Sequence, residues 1–242
     1  MRLDEITRAP AWGEKNSPAA PRLDRLPAKI RDLPGHPGFV YHVYRKNTLG
    51  WRYGSYQVLE VLEKRTATVA GALYVQPDDT LIRGGVQVAD VFLFREFQGQ
   101  GLAAAMYHTL AVDLNRVIVA DQDPEGGQTP QARKMWAAMN QGLSGVVIKG
   151  WVKIDVDSYD FRQDAKEEDR VVQAIMDLGG QWLWHDNEEW AIMFDVRPNS
   201  TGRELTAVVN NALSRYVYTG QQGSEYESGL VMMSDQNYQK LI

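Results

Sequence analysis

The 242-residue chain contains no cysteine. That excludes disulfides, thiolate metal ligands, a cysteine nucleophile and any covalent intermediate carried on a thiol. Long apolar runs are missing too. No window approaches the roughly 20 residues that a membrane-spanning helix needs, and the opening Met1-Arg2-Leu3-Asp4-Glu5 lacks the apolar region of a secretory signal. A soluble, cytoplasmic protein with no membrane partner is expected. Blocks of Lys and Arg are absent, and 26 basic against 31 acidic side chains leave a formal charge of −5, so nothing draws the chain to nucleic acid as a whole. The four histidines, His36, His42, His108 and His185, show no ligand spacing, and no metal is expected.

What the chain does have is enough length for one full core with extensions. Residues 1–37 carry six prolines, a density that rules out long helices and strands and predicts an extended, partly irregular arm. The region 38–197 holds the periodic elements. Phe39–Tyr44, Gln57–Glu63, Ala67–Val75 and Val86–Phe94 read as strands, rich in β-branched and aromatic residues and separated by turn signals. Leu102, Met106, Leu110 and Leu114 share one face of a helix. Arg116–Ala120 is a short buried strand. Thr129 as N-cap and Pro130 at the first helical position open a second helix with Ala132, Met135, Trp136 and Met139 on its inner stripe. Further strands are expected over 146–156 and 181–196, with a helix over 165–178 between them. In 198–242 an amphipathic helix carries Leu205, Val208, Val209, Ala212, Leu213 and Tyr216 on one face, followed from Thr219 by a polar, glycine-containing tail expected to be mobile except around Leu230-Val231-Met232-Met233. The arm or the terminal helix would serve a homo-oligomer contact.

The most informative stretch is Val91-Phe92-Leu93-Phe94-Arg95-Glu96-Phe97-Gln98-Gly99-Gln100-Gly101-Leu102-Ala103-Ala104-Ala105. A strand passes through a Gly-x-Gly turn into an alanine-rich helix. Glycines let the backbone approach a ligand, and the first helical N–H groups point along the positive end of the helix dipole, so an anion such as a pyrophosphate is the natural guest. A P-loop needs Lys-Ser/Thr after the last glycine, where Leu102-Ala103 stands. A dinucleotide fold would use Ala104 as the third small residue and Asp121 or Asp123 as ribose ligand, but the preceding strand comes too late in the chain. Asp121-Gln122-Asp123 is also a short match to the Asp-x-Asp metal motif of nucleotide-sugar transferases.

Gln98-Gly99-Gln100-Gly101-Leu102-Ala103 resembles the Arg/Gln-x-x-Gly-x-Gly/Ala signature of the GNAT acyltransferases, in which this loop and helix hold the pyrophosphate of acetyl-coenzyme A. The resemblance spans roughly residues 39–194 in element order. The order of Gly127-Gln128-Thr129-Pro130 and a Trp-bearing helix also resembles bacteriophage-encoded acyltransferase-like proteins. The GNAT resemblance implies an α/β (α+β) fold with a mixed, mostly antiparallel central sheet flanked by helices. It also implies an enzyme that moves acetyl from acetyl-coenzyme A directly to an amine, on a small molecule or a protein. Coenzyme contacts would come from Gln98, Gly99, Gln100, Gly101, Leu102 and Ala103, from Phe92, Leu93 and Phe94 on the strand, and from Trp136. Asp90, the one carboxylate in that strand, is the candidate base, and Gln87 would orient a water. The family's usual acid is a tyrosine on the second helix, and Trp136 stands in its place, so the thiolate leaves unprotonated or Tyr74, Tyr107 or Tyr159 serves. Two other readings stay open: a GNAT-fold binding or scaffolding protein without catalysis, and an enzyme acting on a nucleobase or tRNA.

Overall fold

Strands dominate the residues described by the computed structural model, which are 19–48, 54–79, 81–121, 135–136, 138–139, 143–155, 173, 176–177, 180–185, 189–195 and 226–241. The fold is α+β with antiparallel pairing throughout the strand pairs described below. The chain divides into two units, Met1–Pro77 with Val86–Leu114, and Asp78–Gly85 with Asn115–Ile242.

In the first unit strand order follows chain order. β1 (Arg31–Leu33), β2 (His36–Thr48), β3 (Gly54–Glu63), β4 (Thr68–Pro77) and β5 (Val86–Leu93) form an antiparallel meander. β3 and β4 are its inner strands and are covered on both faces, so Val58-Leu59-Glu60-Val61-Leu62 and Val69–Leu73 are buried without alternation. The register shifts at Asp32/Leu33 in the β1–β2 pair, and bulges interrupt the β3–β4 and β4–β5 ladders. Ala70 is extra on β4, where Val61 pairs with Gly71 and Leu62 with Val69. Ala89 is extra on β5, where Tyr74 pairs with Asp90 and Val75 with Val88. The described part of the arm lies along this unit: Val69 N–H donates to Pro21 O at 2.8 Å and Leu23 N–H to Ala67 O at 3.0 Å.

β5 leads through a single 3₁₀ turn, Arg95–Phe97, and the two glycines into α1 (Leu102–His108). The expected helix over 102–114 changes pitch halfway. Thr109–Asp113 forms a π turn that ends as Leu114 N–H donates to Thr109 O at 3.0 Å. Leu102, Met106 and Leu110 are buried as the periodicity requires.

The second unit has the order β6 (Ile118–Asp121), β10 (Tyr226–Ser234), β7 (Val146–Asp155), β9 (Glu189–Phe194), β8 (Gln181–His185), again antiparallel. Its core joins Val119, Trp151, Ala191, Met193, Val231 and Met233 to Leu81, supplied by the connection between β4 and β5. Gly229 pairs with both Asp121 and Trp151, and a Cβ there would lie 1.9 Å from Ala120 O. Only glycine fits that approach.

The expectation of a polar tail from Thr219 gives way at Tyr226. The next nine residues are β10, flanked by β6 and β7, with Leu230, Val231, Met232 and Met233 buried. Those apolar residues form too short a run to announce a strand beyond a polar, glycine-bearing lead. α2 (Asp235–Leu241) follows, opened by Ser234, whose Oγ accepts from Asn237 N–H at 3.2 Å. Residues Thr129, Pro130 and Ala132, most of the helix over 165–178 and the helix over 205–216 lie outside the described residues.

Candidate functional site

The junction after β5 is built for close backbone approach. Gly99 and Gly101 both adopt left-handed backbone, with φ of 75° and 76°, which non-glycine residues rarely enter. A Cβ at Gly99 would meet nothing within 4 Å, and one at Gly101 would lie 3.6 Å from His36 Cε1. The first intrahelical bond runs from Ala105 N–H to Gly101 O at 3.1 Å, so the N–H groups of Leu102, Ala103 and Ala104 precede the ladder. The first turn holds no acidic residue. Gln98 and Gln100 brace the loop from below: Gln98 Nε2 donates to Leu93 O at 3.0 Å and Gln100 Nε2 to Glu96 O at 3.1 Å. Phe92, Leu93, Phe94, Leu102 and Ala103 are buried, and Phe94 N–H is spent on Ala70 O at 2.9 Å. At Phe92, Leu93 and Phe94, what a ligand could meet is therefore backbone rather than side chain.

One face of the first unit's sheet collects the titratable groups. Across the register, His42 of β2 stands opposite Glu60 of β3, Glu60 opposite Ala72 of β4, and Ala72 opposite Phe92 of β5; the adjacent row runs Tyr44, Val58, Tyr74, Asp90. Further along, Lys46 stands opposite Tyr56, and Gln76 opposite Gln87. Side-chain contacts tie the rows together. His42 Nε2 lies 2.6 Å from Glu60 Oε2, and the His42 ring stacks on Tyr44 at 5.0 Å. Tyr74 stacks on Phe92 at 6.2 Å, meets Tyr56 edge-on at 6.4 Å, and has the Lys46 ammonium 5.8 Å above its ring.

The bulge at Ala89 matters here. In a regular strand residues 87 and 90 point to opposite faces. The extra residue turns both to the same face, and Gln87 Oε1 accepts from Gln76 Nε2 at 2.8 Å while Asp90 stands opposite Tyr74. Both candidate catalytic residues thus share a face with the tyrosine cluster. Asp90 is exposed and Gln87 half-buried. Burial, then the Glu60 carboxylate, then Asp90 push the Tyr74 phenol up to about 12. Tyr44 is raised as well, by burial first and by Glu60 and Tyr74 after it.

Glu60 is the residue that reading the sequence missed. At 2% exposure it is a buried carboxylate in a run of apolar side chains, and such a group is found only where it has a partner. The lone Glu within Val58–Leu62 was the available signal. Its partner, His42, lies 18 positions away and had no local mark. Trp136 sits in the second unit, helical and 2% exposed. Asp121 ends β6, while Asp123 and Tyr159 lie outside the described residues. Among the described residues no group of three or more His, Asp or Glu is placed to hold a metal ion, and no helix is long and apolar enough to cross a membrane.

No family model matches the chain, and neither a curated protein nor a solved structure matches it.

Proposed function

We propose that the chain is a GNAT-type acyltransferase that transfers acetyl from acetyl-coenzyme A directly to an amine. The observation that carries this reading is the junction from β5 to α1. There two left-handed glycines and three N–H groups ahead of the helical ladder meet in a turn with no acidic residue. A pyrophosphate is the chemical complement of such a turn. Gly99 to Ala103 would hold it through the backbone.

The bulge in β5 supports the second half of the reading. The extra residue brings Asp90 and Gln87 to one face, and backbone donors of this segment would polarise an acyl carbonyl. Asp90 would take the proton from the acceptor amine, and Gln87 would orient a water in the same place. The chain supplies alignment and a charged, partly dry face, and it needs no covalent intermediate.

The acceptor is proposed to be a small amine or a protein amine; the acidic balance of the chain disfavours nucleic acid. A second reading, a binding protein of the same fold without catalysis, is favoured by one observation: Trp136, which stands where the family's acid is expected and is buried in the second unit. Calorimetric titration of the full chain with acetyl-coenzyme A and with free coenzyme A tests the first claim. Thiol release against a panel of amines, in a protein with no thiol of its own, separates the two readings. Absence of coenzyme binding defeats both.

A further inference from the structure

The proposed reaction leaves one proton unassigned, since Trp136 has no acid to offer the departing thiolate. Three phenols share the face that carries Asp90. Tyr44 is on β2, three strands from β5, and Tyr56 is on β3 and buried. Tyr107, on α1, is 3% exposed. Tyr74 alone is on the strand that pairs with β5, half-buried and directly opposite Asp90 at the bulge. Opposed residues on an antiparallel pair hold their Cβ atoms about 5 Å apart. The Tyr74 ring is fixed on both sides, by Phe92 stacked at 6.2 Å and by Tyr56 edge-on at 6.4 Å. A phenol so fixed, beside the strand segment proposed to hold the acyl carbonyl, is positioned rather than merely present.

We propose that Tyr74 is the proton donor to the leaving thiolate, working across the β4–β5 pair from Asp90; the inference rests on the acyltransferase reading given above. The balance is as follows. The acceptor nitrogen gives a proton to Asp90 and forms the C–N bond. The C–S bond breaks with its electron pair on sulfur, and the Tyr74 O–H proton passes to that sulfur. Asp90, now protonated, returns its proton to the Tyr74 phenolate, directly or through one water. The net change is acyl transfer with release of the free thiol. Glu60 acts at one remove, as a positioning residue. Its carboxyl, 2.6 Å from His42 Nε2, lies two residues along β3 from Val58, the residue opposite Tyr74.

Tyr74→Phe tests the assignment, because the ring and its contacts with Phe92, Tyr56 and Lys46 are kept and only the hydroxyl is lost. In the full chain, kcat for acetyl transfer is expected to fall about tenfold to a hundredfold, with KM for acetyl-coenzyme A and calorimetric affinity for free coenzyme A unchanged. The solvent deuterium effect on kcat, present in wild type, is expected to shrink to the share carried by the transfer from the acceptor nitrogen to Asp90. A Tyr74→Phe variant with wild-type kcat and an undiminished isotope effect overturns the assignment, as does a variant whose loss lies wholly in KM. Wild type that binds coenzyme but releases no thiol with any amine overturns the acyltransferase reading, and this inference with it. Thiol release by wild type with an unaffected variant overturns the inference alone.

Discussion

The two units are both antiparallel, yet they are assembled in opposite ways. In the first, strands pair in the order they are made, β1 through β5, and each pairing closes a short loop. In the second, β6 finds its partner in β10, more than a hundred residues later, and β10 in turn separates β6 from β7. Local pairings form early and at low entropic cost, whereas long loops must close before β10 contributes. Their interiors differ as well. The second unit's core is apolar and centred on Trp151, Val231 and Met233. The first unit keeps one face apolar and gives the other Glu60, His42, three tyrosines, a lysine and Asp90. The His42–Glu60 contact satisfies the carboxyl group that this face buries.

The contrast is broken most severely at Gly229. Gly229→Ala places a Cβ 1.9 Å from Ala120 O, and neither strand can yield without losing its ladder. A loss of about 3 kcal/mol is expected, seen as a fall in thermal midpoint by circular dichroism. Unchanged stability would mean that β10 is dispensable to the second unit.

Gly101→Asp is the counterpart in the first unit, where binding is expected to suffer and folding to survive. A Cβ there meets only His36 at 3.6 Å, and Asp tolerates left-handed backbone better than most residues, at about 1–2 kcal/mol. The carboxylate would face the proposed pyrophosphate, so on that reading coenzyme affinity should drop a hundredfold or more, about 3 kcal/mol. Calorimetry on the folded variant decides it, and retained affinity removes the loop from the site.

Asp90→Asn should lower acetyl transfer by about tenfold or more and flatten its rise with pH. Equal rates at every pH would leave Asp90 a surface residue of the bulge.

The smallest effect is an alkaline one. Burial, Glu60 and Asp90 raise the Tyr74 phenol from 10.0 to about 12, so the folded state holds that proton more tightly than the unfolded chain. The contribution to stability is fully present below pH 10 and is lost as pH rises through about 12. Glu60→Gln removes one of the charges responsible, and the Tyr74 titration should move down toward its ordinary range, followed by phenolate absorbance with Tyr74→Phe as the blank. A titration that stays in place would show that burial alone sets it.

Much of this was legible from the chain. β-branched and aromatic runs marked β2 to β7 because such side chains fit a pleated, covered surface. Gly99 and Gly101 marked the turn before α1 because left-handed backbone is open to glycine and little else. What the chain could not announce depends on pairings between distant residues. Nothing near Asp90 said which face it joins; the extra Ala89 on β5, defined only against Tyr74 and Val75 of β4, turned Asp90 and Gln87 the same way. Glu60 gained its meaning from His42 across the β2–β3 pair. Leu230 to Met233 stood out from the polar tail as its one apolar run, but that they form a strand between β6 and β7 is set by the pairings on both sides. Local composition fixes where a strand can be, since it is a property of neighbours in sequence, while face, partner and burial are set by register, which exists only once two strands have met.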